Sequence, residues 1–168
     1  EISSGQRYRR EKGEKQYRRG LYVYWKRGAP YPSMITFDAA KREVCTVDRA
    51  ETTTPLQALV LLNDPVYVES AKMLGQRMLE HDAKSDEERL AFGYRLCTSR
   101  KPDARRLAVL TRLLASQRKH YEGKPKDAEK LLGVGDAKVD TKKRSAAELA
   151  AWTAVGSALL NLDAALHR

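Results

Sequence analysis

The sequence predicts a mainly α-helical domain, with about five helices forming a bundle-like scaffold behind an irregular, aromatic N-terminal segment that carries one or two short strands. Three observations predict it. Helix-capping residues stand ahead of apolar runs at Thr54, Asp64, Ser85, Asp103 and Ser145. The apolar residues between those caps recur at helical spacing. The β-prone pieces all lie before residue 48. A chain of 168 residues with 42% hydrophobic content is long enough to bury a proper core. No stretch of it approaches the roughly 20 apolar residues that a membrane-spanning helix needs.

Taken in order, residues 1–20 form a basic extended arm, with Tyr8 and Tyr17 as surface anchors. Residues 21–168 are the C-terminal part of a single helical domain. The aromatic stretch Leu21, Tyr22, Val23, Tyr24 and Trp25 reads either as a short strand or as the start of a helix. Gly28, Pro30 and Pro32 break it. Two further β-prone pieces follow at 34–37 and 44–47. Thr54, Pro55 and Gln57 make a capping box with Pro at the first helical position, and Leu56, Leu59, Val60 and Leu62 supply the apolar face of that helix. Asp64 caps a second helix running to about Glu80, with Val68, Ala71, Leu74 and Met78 inward. Ser85 and Glu88 open a third, with Leu90, Ala91, Tyr94 and Leu96 inward. Pro102 and Asp103 open a fourth, built on Leu107, Leu110, Leu113 and Leu114. Residues 123–144 read as a lysine-rich linker with one apolar turn at 128–132. Ser145 and Glu148 open the last helix, on Leu149, Trp152, Val155, Leu159 and Leu162.

Charge is distributed unevenly within the net +10. Residues 1–27 hold nine Lys/Arg against three acids, and residues 100–144 hold fourteen against six, whereas residues 28–99 are slightly acidic. Such surfaces suit docking to an acidic partner or to acidic glycans. They also suit nucleic acid, but no DNA- or RNA-binding module is visible. The absence of Cys-x-x-Cys-His excludes covalent haem attachment within this chain, and no residues have zinc-ligand spacing. No cofactor and no metal is therefore expected here. His81, His120 and His167 lack a second ligand at i+3 or i+4 and read as surface histidines. Cys45 and Cys97 read either as a disulfide, given an oxidising compartment, or as small buried side chains.

Several blocks resemble a known family. They are Arg18 and Arg19 through Trp25 and Arg27; Pro32 and Met34; Phe37, Asp38 and Ala39; Arg42, Glu43, Cys45 and Val47; Thr54, Pro55, Leu56, Gln57, Ala58 and Leu59 through Pro65; and the closing Glu148, Trp152 and Thr153 with Leu160, Asn161, Leu162 and Asp163. Together they resemble the planctomycete cytochrome-c-associated domain of unknown function. The resemblance implies a C-terminal domain of a large exported protein, extracytoplasmic, whose signal peptide and domain beginning lie upstream of Glu1. It implies that haem c sits on another domain or chain, that the protein takes part in oxidative glycan breakdown, and that the partners are the upstream polypeptide or other chains of a complex. Where the family has Arg, this chain has Asp48 and Glu51, so no anion-binding role carries over to the 47–54 turn.

Two candidate sites follow. Asp38, Arg42 and Glu43 place two carboxylates around an Arg in an irregular segment, a set able to do acid–base work or to bind sugar hydroxyls. The structural alternative is a salt-bridged loop clamp, which perturbs the same groups without catalysis. Tyr22, Tyr24, Trp25 and Tyr31 can stack on sugar rings, or can pack as core. The first set makes the domain a glycan-active enzyme; without it the domain is an accessory interface. The aromatics at 22–25 are expected to be well buried, because disordered arms are poor in such residues.

Overall fold

The computed structural model describes residues 11, 13–23, 25, 29–40, 45, 47–48, 52–141 and 144–166. Among them are eight α-helices and no strand. They are α1 (Pro32–Thr36), α2 (Pro55–Asn63), α3 (Pro65–Glu80), α4 (Asp86–Thr98), α5 (Ala104–Glu122), α6 (Pro125–Leu132), α7 (Ala146–Leu160) and α8 (Asp163–Leu166). The five expected helices are α2, α3, α4, α5 and α7; the short α1, α6 and α8 are additional. The chain divides into two compact units, residues 1–60 and 61–168.

The second unit is organised around α7, which packs on α3, α5 and α6. Leu149, Trp152, Val155 and Leu159 of α7 join Met78, Leu79, Leu90, Tyr94, Leu110 and Leu114 in one buried cluster. Each such side chain contributes on the order of 2 kcal/mol by leaving water. The backbones of α3 and α7 approach closely because each carries a glycine at the crossing. A Cβ on Gly156 would lie 2.5 Å from the Ala71 carbonyl oxygen, and one on Gly75 would lie 2.8 Å from the backbone of Trp152. Backbone cannot yield at those distances, so both positions require glycine.

The caps are local and form as their residue types dictate. Asp64 accepts from Val66 N at 2.9 Å and Asp103 from Arg106 N at 2.7 Å. Ser85 accepts from Glu88 N at 3.3 Å and Ser145 from Glu148 N at 3.2 Å. Each cap is worth about 1 kcal/mol.

The lysine-rich stretch expected as a linker holds a helix and a tied-down loop over residues 124–141. Pro125 starts α6, and Ala128, fully buried, anchors it against α7. The loop after α6 is gripped by two buried charges of α3. The Lys72 ammonium donates to the carbonyls of Leu132 (3.0 Å), Val134 (2.7 Å) and Ala137 (2.7 Å). Glu69 accepts from Asp136 N at 2.5 Å. Gly135, at φ +84°, passes so close to Glu69 that a side chain there would collide with the carboxylate. Burial pulls the Lys72 pKa down and Glu69 opposes that pull.

Among the described residues of the first unit, turns and helix stand where strands were expected. Residues 20–22 form a 3-10 turn, with Tyr22 N donating to Arg19 O at 2.8 Å. A second 3-10 turn occupies Gly13–Tyr17, within the expected arm. The β-prone stretch at 34–37 is mostly α1. Pro32 presets the first helical φ, and the Thr36 hydroxyl donates back to Pro32 O at 3.1 Å. These local gains outweigh the mild preference of Ile35 and Thr36 for strand. Val44 and Thr46, in the other β-prone piece, lie outside the described residues. Cys45 is exposed and Cys97 half-buried against the core, and no disulfide joins the two.

Candidate functional site

Among the described residues of the first unit, a polar cluster is built on Gln57, which is 4% exposed. Thr54 and Gln57 form a complete capping box: Thr54 N donates to Gln57 Oε1 at 2.9 Å, and Gln57 N donates to Thr54 Oγ1 at 3.3 Å. The amide nitrogen of Gln57 then reaches back to α1, donating to Thr36 O at 2.9 Å and to Thr52 Oγ1 at 3.2 Å. Thr52 in turn donates to Asp38 Oδ2 from both its N–H (2.8 Å) and its hydroxyl (2.7 Å). Asp38 itself ends α1 in the left-handed region at φ 57°, which Asp tolerates better than most residues. The Thr52 hydroxyl and N–H hold the Asp38 carboxyl below the usual carboxylate range. It is therefore ionised at neutral pH, one oxygen is engaged, and it carries no proton to give. Its proposed companions Arg42 and Glu43 lie outside the described residues.

The aromatic candidates do not form the buried group expected of them. Tyr22 is 65% exposed, beside Leu21 at 75%. Trp25 and Tyr31 are half-buried, and Tyr31 immediately precedes α1. Tyr24 lies outside the described residues. A three-residue 3-10 turn leaves the Tyr22 ring at the surface, where a strand would have faced one set of aromatics inward.

The face of α2 is the reverse of the expected one. Leu56, Leu59 and Leu62, three residues apart, are 56%, 56% and 50% exposed. The buried side carries Gln57 and Leu61 instead. Three leucines in a row along one helix make a contiguous apolar stripe, a surface suited to contact with another segment.

In the second unit, a charged network ties three helices. Arg118 of α5 makes a two-pronged contact with Glu148 of α7, Nε to Oε2 at 2.8 Å and Nη2 to Oε1 at 2.5 Å. Its remaining nitrogen donates to Asp86 of α4 at 2.6 Å. Trp152 Nε1 donates to Glu148 at 2.8 Å, and the guanidinium lies 5.9 Å from the Trp152 ring. Glu148 and Asp86 also occupy the first turns of α7 and α4, where the helix dipole favours anions. Burial pushes the Glu148 carboxyl up, but the bonds from Arg118 and Trp152 outweigh it and hold it below its ordinary value. Asp86 behaves likewise, with burial opposed by Arg118 and Arg89. Arg118 is raised, first by Glu148.

A cleft of about 750 Å³ opens beside this network, between Gln76, His81 and Asp82 at the end of α3, Arg89 of α4, and Asp140 and Arg144 ahead of α7. The His81 ring stacks on Phe92 with centroids 3.8 Å apart, and His120 meets the Tyr121 ring edge-on at 5.0 Å. His167 lies outside the described residues. Among the described residues no group of three His, Cys, Asp or Glu is placed to hold a metal ion, and no helix is long and apolar enough to cross a membrane.

Fold and surface together define a helical domain held by buried polar ties, with an apolar stripe left open. The chain belongs to the PSD1 family, proteins of unknown function (DUF1553), whose model matches residues 2–114. The match takes in the Gln57 cluster, the α2 stripe and most of α5, and stops short of α7 and its Trp152. No curated protein and no solved structure matches the chain.

Sequence reasoning missed Glu69, Lys72, Arg118 and the orientation of α2. The first two had a signal: they share the spacing of Val68, Ala71 and Gly75, so a charged pair falls on the inward face of α3.

Proposed function

We propose that this chain is an accessory interface domain of a larger exported, c-type-cytochrome-linked protein acting in oxidative glycan breakdown, and that the α2 leucines seat a neighbouring segment of that protein. The observation that carries the interface reading is the exposed row Leu56, Leu59 and Leu62 on a helix whose other side is anchored by Gln57. The wider setting rests on the likeness to planctomycete cytochrome-associated domains. Haem, in this reading, is carried by another domain or chain. Asp38 serves as a hydrogen-bond acceptor that joins α1 to α2, and its engagement with Thr52 and Gln57 supports that role over acid catalysis.

The test is Leu59→Glu in the full-length protein, followed by hydrogen exchange across α2 and limited proteolysis. The reading expects exchange at α2 to accelerate in the full-length protein, with little change in the isolated chain, where Leu59 already faces water. Equal exchange in variant and wild-type full-length protein would show that no segment covers the stripe. Asp38→Asn is expected to leave polysaccharide turnover by the full-length protein unchanged; a large loss would return the catalytic reading around Asp38, Arg42 and Glu43 to first place.

A further inference from the structure

The cations of α5 fall into two groups. Arg118 is occupied by Glu148 and Asp86, and Arg106 by Asp103 at 2.6 Å. Arg105, Arg112 and Lys119 are exposed and have no ion-pair partner among the described residues. These three recur every seven residues, two helical turns or about 10.5 Å apart along the axis. Between them, on the same face, lie Ala108, Val109, Ala115 and Ser116, all exposed, with Val109 at 48%. The series 105, 109, 112, 116, 119 alternates steps of four and three, which is the spacing of a seam between two nearly parallel helices. The single acid of α5, Glu122, comes at its last residue, beyond the seam.

We infer that this face of α5 docks an acidic α-helix, one that carries carboxylates seven residues apart and lies at about 20° to α5. The charge pattern selects the sign and the spacing of the partner. The small side chains let a second backbone come close, and Val109 supplies apolar contact. A nucleic-acid strand fits less well. Three cations in a straight row neutralise few phosphates, and the alanine floor between them contributes nothing to a sugar–phosphate chain. This inference shares with the reading above only the idea of a docking domain. It concerns a different face, and Leu59→Glu leaves it untouched, so the two can fail separately.

The experiment measures binding of the full 168-residue chain to a stapled 21-residue helical peptide with Glu at every seventh position and Ala and Leu alongside. A second stapled peptide of the same composition carries its Glu residues on the opposite face. The first peptide is expected to bind about tenfold more tightly than the second, and Arg112→Glu to weaken it by about tenfold. A peptide whose central Glu is replaced by Lys is expected to recover that loss against Arg112→Glu. Arg112 is exposed, so the melting temperature of the variant should match wild type. Equal binding of the two peptides, or no recovery by the charge-swapped one, overturns the inference. So does a 20-base-pair duplex that competes the peptide off with a steep salt dependence, which would assign the face to a polyanion instead.

Discussion

The two units are stabilised by different means. In residues 61–168, large side chains close on one another around α7, and the buried charges Lys72 and Glu69 are hydrogen-bonded to the loop after α6. Among the described residues of the first sixty, only Ser33 and Gln57 are buried, and both are polar. That unit is held by hydrogen bonds radiating from Gln57, while Leu21, Tyr22, Leu56 and Leu59 face outward. The difference teaches that the second unit has a closed apolar core, which the described residues of the first do not form. A hydrogen-bonded cluster sets geometry at a net gain of about 1 kcal/mol per bond, whereas burial of large side chains supplies most of the folding free energy.

The comparison breaks most sharply at Lys72. Replacing it with Met leaves the carbonyls of Leu132, Val134 and Ala137 without a donor and Glu69 without its nearby cation. We expect a loss of about 3–5 kcal/mol in urea unfolding, confined to the second unit. A loss below about 1 kcal/mol would mean that the loop after α6 is held otherwise. Gly156→Ala comes next, at about 2–3 kcal/mol, because the new Cβ meets the Ala71 backbone at 2.5 Å. Gly20→Ala is its counterpart in the first unit. There the new Cβ meets only the flexible end of Met34, at 2.9 Å, so thermal melting should barely move.

Acid titration sharpens the same contrast. Glu148 and Asp86 are held below their ordinary values of 4.5 and 3.8. Groups with depressed folded-state pKa add stability above their unfolded values, and that stability is lost as pH falls through the folded ones. Wild type should therefore lose about 1–2 kcal/mol below pH ~4 that Arg118→Met does not lose; these side chains are partly exposed, so solvent screening reduces the effect. Parallel acid limbs for the two proteins would contradict the network's role.

The helix starts were legible because a cap is a local arrangement: a side chain at Asp64, Ser85, Asp103 or Ser145 bonds an N–H two or three residues on. The phase of α2 was not legible. Leu56, Ala58, Leu59, Val60, Leu61 and Leu62 surround the helix with apolar residues, so periodicity has nothing to lock on to. Only tertiary bonds decide that the lone Gln57 turns inward, toward Thr36 and Thr52. Helix α6 was hidden for a related reason. Four of its eight residues are charged, and it is held by the buried Ala128, by Leu132 against the core and by the distant pair Glu69 and Lys72, sixty residues or more away along the chain. Asp38 was visible as a candidate, but its engagement with Thr52, fourteen residues on, is a distant contact that sequence spacing does not reveal.

The inverted face of α2 is the central claim, and paired substitutions test it with opposite signs. Gln57→Leu removes the acceptor for Thr54 N and the donor to Thr36 O and Thr52 Oγ1. Leu59→Gln changes a side chain that already stands 56% exposed. Thermal denaturation of the isolated chain, followed by hydrogen exchange at α2, should show Gln57→Leu destabilised by about 1–2 kcal/mol and Leu59→Gln within about 0.5 kcal/mol of wild type. The opposite order, with Leu59→Gln costly and Gln57→Leu neutral or stabilising, would place the leucines in a core and contradict the account.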